Sequence, residues 1–215
     1  MSPGSDQAIQ SMRKKPRQAR SWTTVRTLFE ATLQILEQEG EARLTTNRVA
    51  ERAGFSIGTL YQYFPDMDAV LQTMIDLERR RVMADLDALL DRAERDGTGL
   101  EAVLTAFIHI ITEAFGRGNA ARRLLLKRAW KLDHTPPVVA AKQQIAARIL
   151  KFLQIRNDPR YPPPDPQRLF LATRSVLGAL RAAVLEEAAL PDDPGFEPLL
   201  VRLALGTLAA TPPVL

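Results

Sequence analysis

The chain has 215 residues, of which 46% are hydrophobic, and its 29 basic and 25 acidic residues give a formal net charge of +4. This length and apolar content suit one or two domains with a substantial buried core. The absence of cysteine excludes disulfide bonds and thiolate metal sites. No apolar run is long enough to cross a bilayer, and the amino terminus lacks the apolar stretch of a secretory signal, so we expect a cytoplasmic protein with no membrane partner.

The first twenty residues form a basic arm that accounts for the whole excess of positive charge. The arm contains five Lys and Arg residues and one Asp, and it is rich in Ser, Gln and Pro without a helical period. This composition predicts that the arm is disordered when free. Arms of this kind neutralise phosphates and enter an adjacent minor groove of DNA. A solvated leader that only aids solubility is the alternative.

A first amphipathic helix is expected after the arm. Ser21 or Thr23 can cap its start, and Gly40 can end it. Between them, apolar residues recur at three- and four-residue steps from Val25 to Leu36, which gives the helix one apolar face. We expect this face to support the segment that follows.

Two short helical patterns around a glycine-centred turn follow, in the sequence TTNRVAERAGFSIGTLYQYF from Thr45 to Phe64. Thr45 or Thr46 is a natural N-cap for the first of these helices. Gly54 can adopt the left-handed conformation that ends a helix, and Ser56 can cap the second helix. The pattern predicts a helix-turn-helix, and a plain surface helical hairpin is the alternative.

The second helix of this pair carries side chains suited to base edges in the major groove. Gln62 can pair with both hydrogen-bonding atoms of an adenine edge, Thr59 can bond a base or touch a thymine methyl, and Ile57 can contact that methyl. Gly58 would allow the backbone to come close to the DNA. We therefore expect these uncharged residues to read sequence.

Hydroxyl groups around the same face are suited to the phosphate backbone. We expect Tyr61 and Tyr63 to point outward and to donate hydrogen bonds to phosphates. Thr46 can do the same with help from the amino terminus of its helix.

The segment from Thr45 to Phe64 closely resembles the DNA-binding segment of the TetR family of bacterial transcriptional regulators, and the likeness extends upstream to the first helix and downstream to Leu71. Members of that family are all-helical homodimers that usually repress transcription, and they release DNA when a small molecule enters a larger carboxy-terminal domain. The resemblance implies base or backbone contacts from Thr46, Asn47, Ile57, Gly58, Thr59, Tyr61, Gln62 and Tyr63.

The chain departs from the family pattern at Met67, because members commonly carry there a lysine that touches phosphate. Arg48 or the basic arm is the expected substitute for that contact. We therefore include Arg48 among the predicted DNA-binding residues.

A long helix is predicted from Asp66 toward Glu94, with its beginning next to the helix-turn-helix and its end in the following domain. A rigid helix that two domains share can convert a shift at one end into a reorientation at the other. In the family this helix links the effector to the DNA.

The next predicted helix, Leu100–Phe115, is apolar nearly all round, which is typical of a helix in the middle of its domain. Its polar exceptions, Thr105, His109 and Thr112, fall on one strip. We expect them to orient a small-molecule effector within an apolar pocket, with Trp130 at the pocket mouth. A histidine that a neighbouring helix satisfies is the alternative.

The last two predicted helices, from Gln167 to Leu190 and from Phe196 to Ala209, carry more apolar surface than a chain edge should expose. An isologous four-helix bundle, with two helices from each subunit of a homodimer, would bury that surface. Two reading helices would then meet half-sites of a roughly palindromic duplex operator, spaced by one turn of DNA or a multiple of it. Packing within the monomer alone is the alternative.

The expected fold is all-α. A three-helix DNA-binding domain at residues 21–65 follows the arm (1–20), and a long helix joins it to a larger helical effector-binding and dimerisation domain at 66–215. The leading functional hypothesis is a dimeric transcriptional repressor that a hydrophobic small molecule releases from its operator. The alternative is a regulator without an effector, or an activator. We expect no enzyme, metal or cofactor, since two histidines and no phosphate-cradling glycine loop provide no catalytic constellation.

Overall fold

The computed structural model describes Met12, Arg13, Pro16, residues 18–129 and residues 136–209. Within these ranges the chain forms α-helices and short 3-10 turns with no strand, which confirms the all-α prediction. The helices are α1 (Ala19–Gln38), α2 (Thr46–Arg52), α3 (Ile57–Tyr63), α4 (Met67–Asp96), α5 (Leu100–Ala114), α6 (Ala120–Ala129), α7 (Pro136–Arg156), α8 (Pro166–Leu185) and α9 (Phe196–Leu208).

The chain divides into two compact units. The amino-terminal unit comprises Met1–Arg80 and Asn119–Leu132, and the carboxy-terminal unit comprises Arg81–Gly118 and Asp133–Leu215. The amino-terminal unit therefore extends beyond the predicted helix-turn-helix domain at 21–65, because it includes the first half of α4 and all of α6. The functional boundaries at residues 20, 65 and 66 stay a prediction.

The amino-terminal unit has its own apolar core. Val25, Leu28 and Ile35 of α1 are fully buried, and so are Leu60 of α3 and Phe64 just after it. Burial of such a side chain stabilises a fold by roughly 1.5–3 kcal/mol. The predicted apolar face of α1 supplies Val25 and Leu28, and α1 packs against α2, so α1 supports the helix pair as expected.

The carboxy-terminal unit is built around α5, α8 and α9. Helix α9 packs against both α5 and α8, and α7 packs against α8. The most deeply buried side chains come from five helices of this unit and are Leu86, Leu90, Ile108, Phe152, Leu153, Leu180 and Leu208. Helix α5 lies in this core, as its apolar sequence predicts.

The predicted cap of α1 at Ser21 or Thr23 is wrong, because α1 begins at Ala19 and no side chain caps it. Two later helix starts have side-chain caps. Asp66 caps α4, because its Oδ1 accepts a hydrogen bond of 2.8 Å from the Ala69 amide. Asp165 caps α8 in the same way, with 2.8 Å to the Arg168 amide. Helix α8 ends at Leu185, five residues before the predicted end.

Helix α4 runs without interruption from Met67 to Asp96, and residues of both units belong to it. The long shared helix that the sequence predicts is therefore present. In the described part of the chain, no helix is both long and apolar enough to span a membrane.

Candidate functional site

The helix-turn-helix is fixed by two caps and one left-handed residue. The Thr45 hydroxyl accepts a hydrogen bond from the Arg48 amide at 3.2 Å, and the Ser56 hydroxyl accepts one from the Thr59 amide at 3.2 Å. Gly54 has a φ of 73°, in the region that favours glycine. The predicted caps and turn are therefore confirmed, with Thr45 rather than Thr46 as the cap of α2.

An uncharged polar face lies on α3. Gln62 and Gly58 are exposed, while Ile57 and Thr59 are half-buried. The hydroxyls of Thr59 and Ser56 lie 2.9 Å apart and share a hydrogen bond. The four residues predicted to read bases therefore lie on one short helix.

The predicted backbone contacts lie at the edge of this face. Tyr61 is 40% exposed, and its hydroxyl lies 3.3 Å from the Thr46 hydroxyl. Asn47, next to Thr46 in the first turn of α2, is exposed. The structure thus brings α2 and α3 together through two hydroxyl groups that are suited to a phosphate.

The prediction that Tyr63 points outward is wrong. Tyr63 is only 7% exposed, and its ring centroid lies 6.5 Å from that of Phe64. The reason is helical spacing: Tyr63 follows buried Leu60 by three residues, so both lie on the same face of α3.

Part of the basic arm is anchored on the amino-terminal unit. Met12 is 7% exposed and belongs to the core of this unit, and Pro16 is buried. The Arg13 amide donates a hydrogen bond of 2.8 Å to the Tyr63 carbonyl. The prediction of a disordered arm is wrong for these residues, because Met12 finds an apolar site. Residues 1–11, 14, 15 and 17 lie outside the described residues.

Arg48 is held by acidic side chains rather than left free on the surface. Its guanidinium donates two hydrogen bonds of 2.9 Å to the two carboxylate oxygens of Glu39 and one of 2.8 Å to Glu51. These bonds raise the pKa of Arg48, with the Glu39 contact as the largest cause. A phosphate contact from Arg48 would require it to leave these partners. Met67 is 9% exposed and belongs to the core.

The polar strip of α5 does not converge on an interior site. Thr105 is exposed, and its hydroxyl donates to the Glu101 carbonyl at 2.8 Å. Thr112 is fully buried, and its hydroxyl donates to the Ile108 carbonyl at 2.8 Å. The predicted interior placement is therefore wrong for Thr105, because α5 buries the opposite face. Trp130 lies outside the described residues.

His109 is also outside the apolar interior, since 55% of its side chain is exposed. Its Nδ1 lies 3.2 Å from Glu197 Oε1 on α9, and Arg117 donates to the same oxygen at 2.6 Å. This is the alternative that the sequence left open, a histidine with a partner on a neighbouring helix.

The carboxy-terminal unit contains an apolar cavity of about 30 Å³. Among the described residues that line it, Thr173 is the only polar one, and its hydroxyl donates to the Leu169 carbonyl at 2.9 Å. The other lining residues come from α5, α7, α8 and α9 and are Leu104, Phe107, Ile108, Ile111, Ile145, Ile149, Leu169, Ala172, Val176, Leu177, Ala204 and Leu208. Thr105, His109 and Thr112, the predicted effector-binding residues that the structure describes, do not line the cavity.

Large apolar side chains are exposed on the last two helices. Phe170 and Leu171 of α8 are 59% and 54% exposed, and Leu199 and Leu203 of α9 are 54% and 41% exposed. Arg168 of α8 donates to the carbonyls of Thr207 and Ala209 at the end of α9. The two helices are thus joined to each other while both expose apolar surface.

Sequence reasoning missed Glu39 and Thr173. Glu39 lies just after α1, nine residues before its partner Arg48, so no local helical spacing connects the two. Thr173 could have been noticed as the polar residue between buried Ala172 and Val176 on α8. Among the described residues, no group of three or more His, Asp or Glu side chains is placed to hold a metal ion.

Residues 28–74 match the model of a family described as bacterial regulatory proteins, tetR family. The chain is 25% identical over 126 residues to the nucleoid occlusion factor SlmA of Actinobacillus pleuropneumoniae, a match that covers 58% of this chain and 56% of that protein. It is 37% identical over 70 residues to the HTH-type transcriptional repressor KstR of Mycolicibacterium smegmatis, covering 33% of this chain and 32% of the repressor. The chain thus spans about half or less of the length of these curated relatives.

A solved structure shares the fold. The TetR family transcriptional repressor FadR of Thermus thermophilus, solved in complex with lauroyl-CoA, aligns with a TM-score of 0.54 at 23% identity over 88% of this chain and 98% of its own. The family match covers the two capped helices and the turn described above, and the fold likeness extends over most of the chain. Residues 28–74 therefore match the TetR family of bacterial regulatory proteins, and most of the chain shares the fold of a TetR family repressor.

Proposed function

We propose that the chain binds duplex DNA sequence-specifically and represses transcription. The observation that carries this proposal is the exposed, uncharged face of α3, held in place by the Ser56 cap and the Gly54 turn. A rigid helix with outward polar side chains is what direct readout in the major groove requires. The likeness to a transcriptional repressor, KstR, favours repression over activation.

In this proposal the interface separates base contacts from backbone contacts. Gln62 and Thr59 bond base edges, Ile57 meets a thymine methyl, and Gly58 allows close approach. Backbone contacts come from the first turn of α2, through Thr46 and Asn47, and from Tyr61.

The basic arm adds contacts of a different kind. Because the Arg13 amide is bound to the Tyr63 carbonyl, the arm passes close to the end of α3. Arg13 at this position would neutralise a phosphate next to the groove that α3 reads.

The chain acts as a homodimer through α8 and α9 in this proposal. Four large apolar side chains on these helices are between 41% and 59% exposed. Burial of this surface against a second copy is favourable by roughly 25 cal/mol per Å² before the costs of association. Twofold symmetry would place two copies of α3 against a palindromic operator.

A hydrophobic effector is proposed to bind in the cavity between α5, α7, α8 and α9. The lining suits an aliphatic group, since Thr173 already donates its proton to the protein backbone. The fold relative FadR was solved with lauroyl-CoA, a ligand with an aliphatic chain. By linkage, an effector that weakens DNA binding is itself bound more weakly in the DNA complex, by the same factor.

A second candidate is a DNA-binding regulator without an effector, and the size of the cavity favours it. A cavity of about 30 Å³ has room for little more than one water molecule. A hydrophobic effector would have to open the space between these helices. A thermal-shift series with fatty acids of graded chain length separates the two candidates. If the chain binds a hydrophobic effector, some of these fatty acids should raise its melting temperature; if it has no effector, none should.

DNA binding itself is tested with the full chain and fluorescent duplexes of random sequence. We expect duplex binding with a Kd of roughly 10⁻⁶–10⁻⁴ M, weakening as salt is added, as is typical of non-specific binding. Single-stranded DNA of the same length is the control. No binding to any duplex at low salt would contradict the proposed function.

A further inference from the structure

The end of α1 holds two arginines of α2 on one carboxylate. Glu39 accepts two hydrogen bonds of 2.9 Å from Arg48 and one of 2.5 Å from Arg52. Arg52 also donates to the Gln38 side chain at 2.7 Å. Both guanidinium groups of α2 are therefore engaged by residues at the end of α1.

This network is partly shielded from solvent. The Glu39 side chain is 17% exposed, and those of Arg48 and Arg52 are 34% and 25% exposed. Hydrogen bonds from Arg48 and then Arg52 hold the pKa of Glu39 below its ordinary value, so Glu39 is charged at neutral pH. Ion pairs in partly buried geometry are screened by salt less than pairs on the open surface.

The position of the network matters because it adjoins the proposed backbone contacts. Arg48 lies in the first turn of α2, directly after Thr46 and Asn47, and Arg52 lies one turn later. Arginine at a DNA-facing helix end binds phosphates of any sequence, which strengthens non-specific binding and adds no discrimination. A carboxylate that occupies these two groups would remove that contribution.

We infer that Glu39 is a positioning residue that sets specificity, because it keeps Arg48 and Arg52 away from DNA phosphates. Discrimination between operator and other duplexes then depends on the uncharged residues of α3. The inference rests on the proposed DNA binding, and it assigns Arg48 a different role from the phosphate contact predicted from the sequence.

The test measures how the affinity of the Glu39→Gln variant for a random-sequence duplex changes with salt concentration. If the substitution frees one arginine for phosphate, the slope of log K against log salt becomes steeper by about 0.9. Non-specific binding then falls by an additional factor of about 3 to 4 between 50 and 200 mM salt. At low salt, the variant should bind random duplex more tightly than the unaltered chain.

Two further variants separate release of the arginines from a general change of charge. Glu37→Gln changes the net charge by the same amount as Glu39→Gln, and Glu37 is an exposed residue of α1 outside this network. The slope of log K against log salt for Glu37→Gln should therefore equal that of the unaltered chain. The triple variant Glu39→Gln, Arg48→Gln, Arg52→Gln should return the slope to that of the unaltered chain or below it.

Several outcomes would overturn the inference. A melting temperature that falls while the slope on random duplex stays constant would mean that Glu39 only stabilises the fold. The inference would also be wrong if Glu37→Gln steepened the slope as much as Glu39→Gln. If the unaltered chain binds no duplex, the proposed function fails and this inference fails with it; an unchanged slope in a chain that does bind DNA overturns the inference alone.

Discussion

The Tyr61 hydroxyl lies 3.3 Å from the Thr46 hydroxyl, so a side chain of α3 and a side chain of α2 share one polar contact at the surface. Either hydroxyl can donate in this pair, which leaves the other free to donate outward. Such a pair suits a single phosphate placed between the two helices.

Tyr61→Phe removes one of the two hydroxyls and keeps the ring. We expect binding to weaken by roughly 10- to 100-fold on operator and random duplexes alike, because a hydrogen bond to a charged group contributes about 1.5–3 kcal/mol and phosphates carry no sequence. Fluorescence anisotropy on both duplexes measures this. A loss confined to the operator would mean that Tyr61 reads bases.

Gln62→Ala tests direct readout. Gln62 is exposed near the end of α3, and loss of a bidentate contact to adenine should cost about 1–3 kcal/mol at one base pair of each half-site. Preference at that base pair should relax while the salt slope stays nearly constant. Equal weakening on every sequence would contradict a base-reading role.

Gly58→Ala separates the stability of the fold from DNA binding. A Cβ at Gly58 would meet only the Ser56 hydroxyl, at an ordinary distance of 3.7 Å. Because alanine is favoured over glycine in helices, we expect the free protein to gain about 0.5–1 kcal/mol of stability. DNA affinity should nevertheless fall, since the methyl group would occupy the space where backbone and DNA approach. Unchanged affinity in a stabilised variant would show that no such approach occurs.

Leu199→Glu tests the proposed dimer. A charge on this exposed face of α9 would have to be buried on association, so the variant should be monomeric in sedimentation at concentrations where the unaltered chain is dimeric. Ile155→Glu is the matched control, because Ile155 is 53% exposed on α7 and lies outside the proposed interface. If neither variant changes the mass, α8 and α9 do not form the interface.

The Glu39 network predicts a dependence of stability on pH. The pKa of Glu39 is lowered in the folded protein, so its contribution is fully present above the ordinary glutamate value of 4.5 and is lost as pH falls through the lower folded value. The unaltered chain should therefore lose more stability than Glu39→Gln as the pH is lowered from about 5 to about 3. Denaturant unfolding of both proteins at several pH values measures this loss. If the free energies of unfolding of the two proteins fall in parallel with pH, Glu39 makes no such contribution.

The sequence was sufficient for the helices and for the helix-turn-helix, because caps and turns are local. The caps at Thr45 and Ser56 and the turn at Gly54 each involve residues only three or four positions away. The structure confirms all three. The all-α fold likewise follows from apolar periodicity together with the resemblance to the TetR family.

Side-chain orientation was less predictable, because it depends on which face of a helix finds a partner. Tyr63 shares the face of Leu60 and is buried, whereas His109 lies away from the apolar side of α5 and pairs with Glu197. The Glu39–Arg48 pair joins the end of α1 to α2, and the cavity is lined by residues of four helices. Such arrangements depend on tertiary packing, which one sequence does not specify.

Selection of bound sequences from a pool of random duplex DNA tests the central claim most directly. The full chain should enrich a roughly palindromic sequence whose half-sites are about 10–10.5 base pairs apart from centre to centre, or a multiple of that distance. The Gln62→Ala variant should lose its base preference at one base pair in each half of that sequence. A pool that shows no enrichment after repeated rounds at low salt, or an enriched site without twofold symmetry, would contradict a dimer that reads DNA through α3.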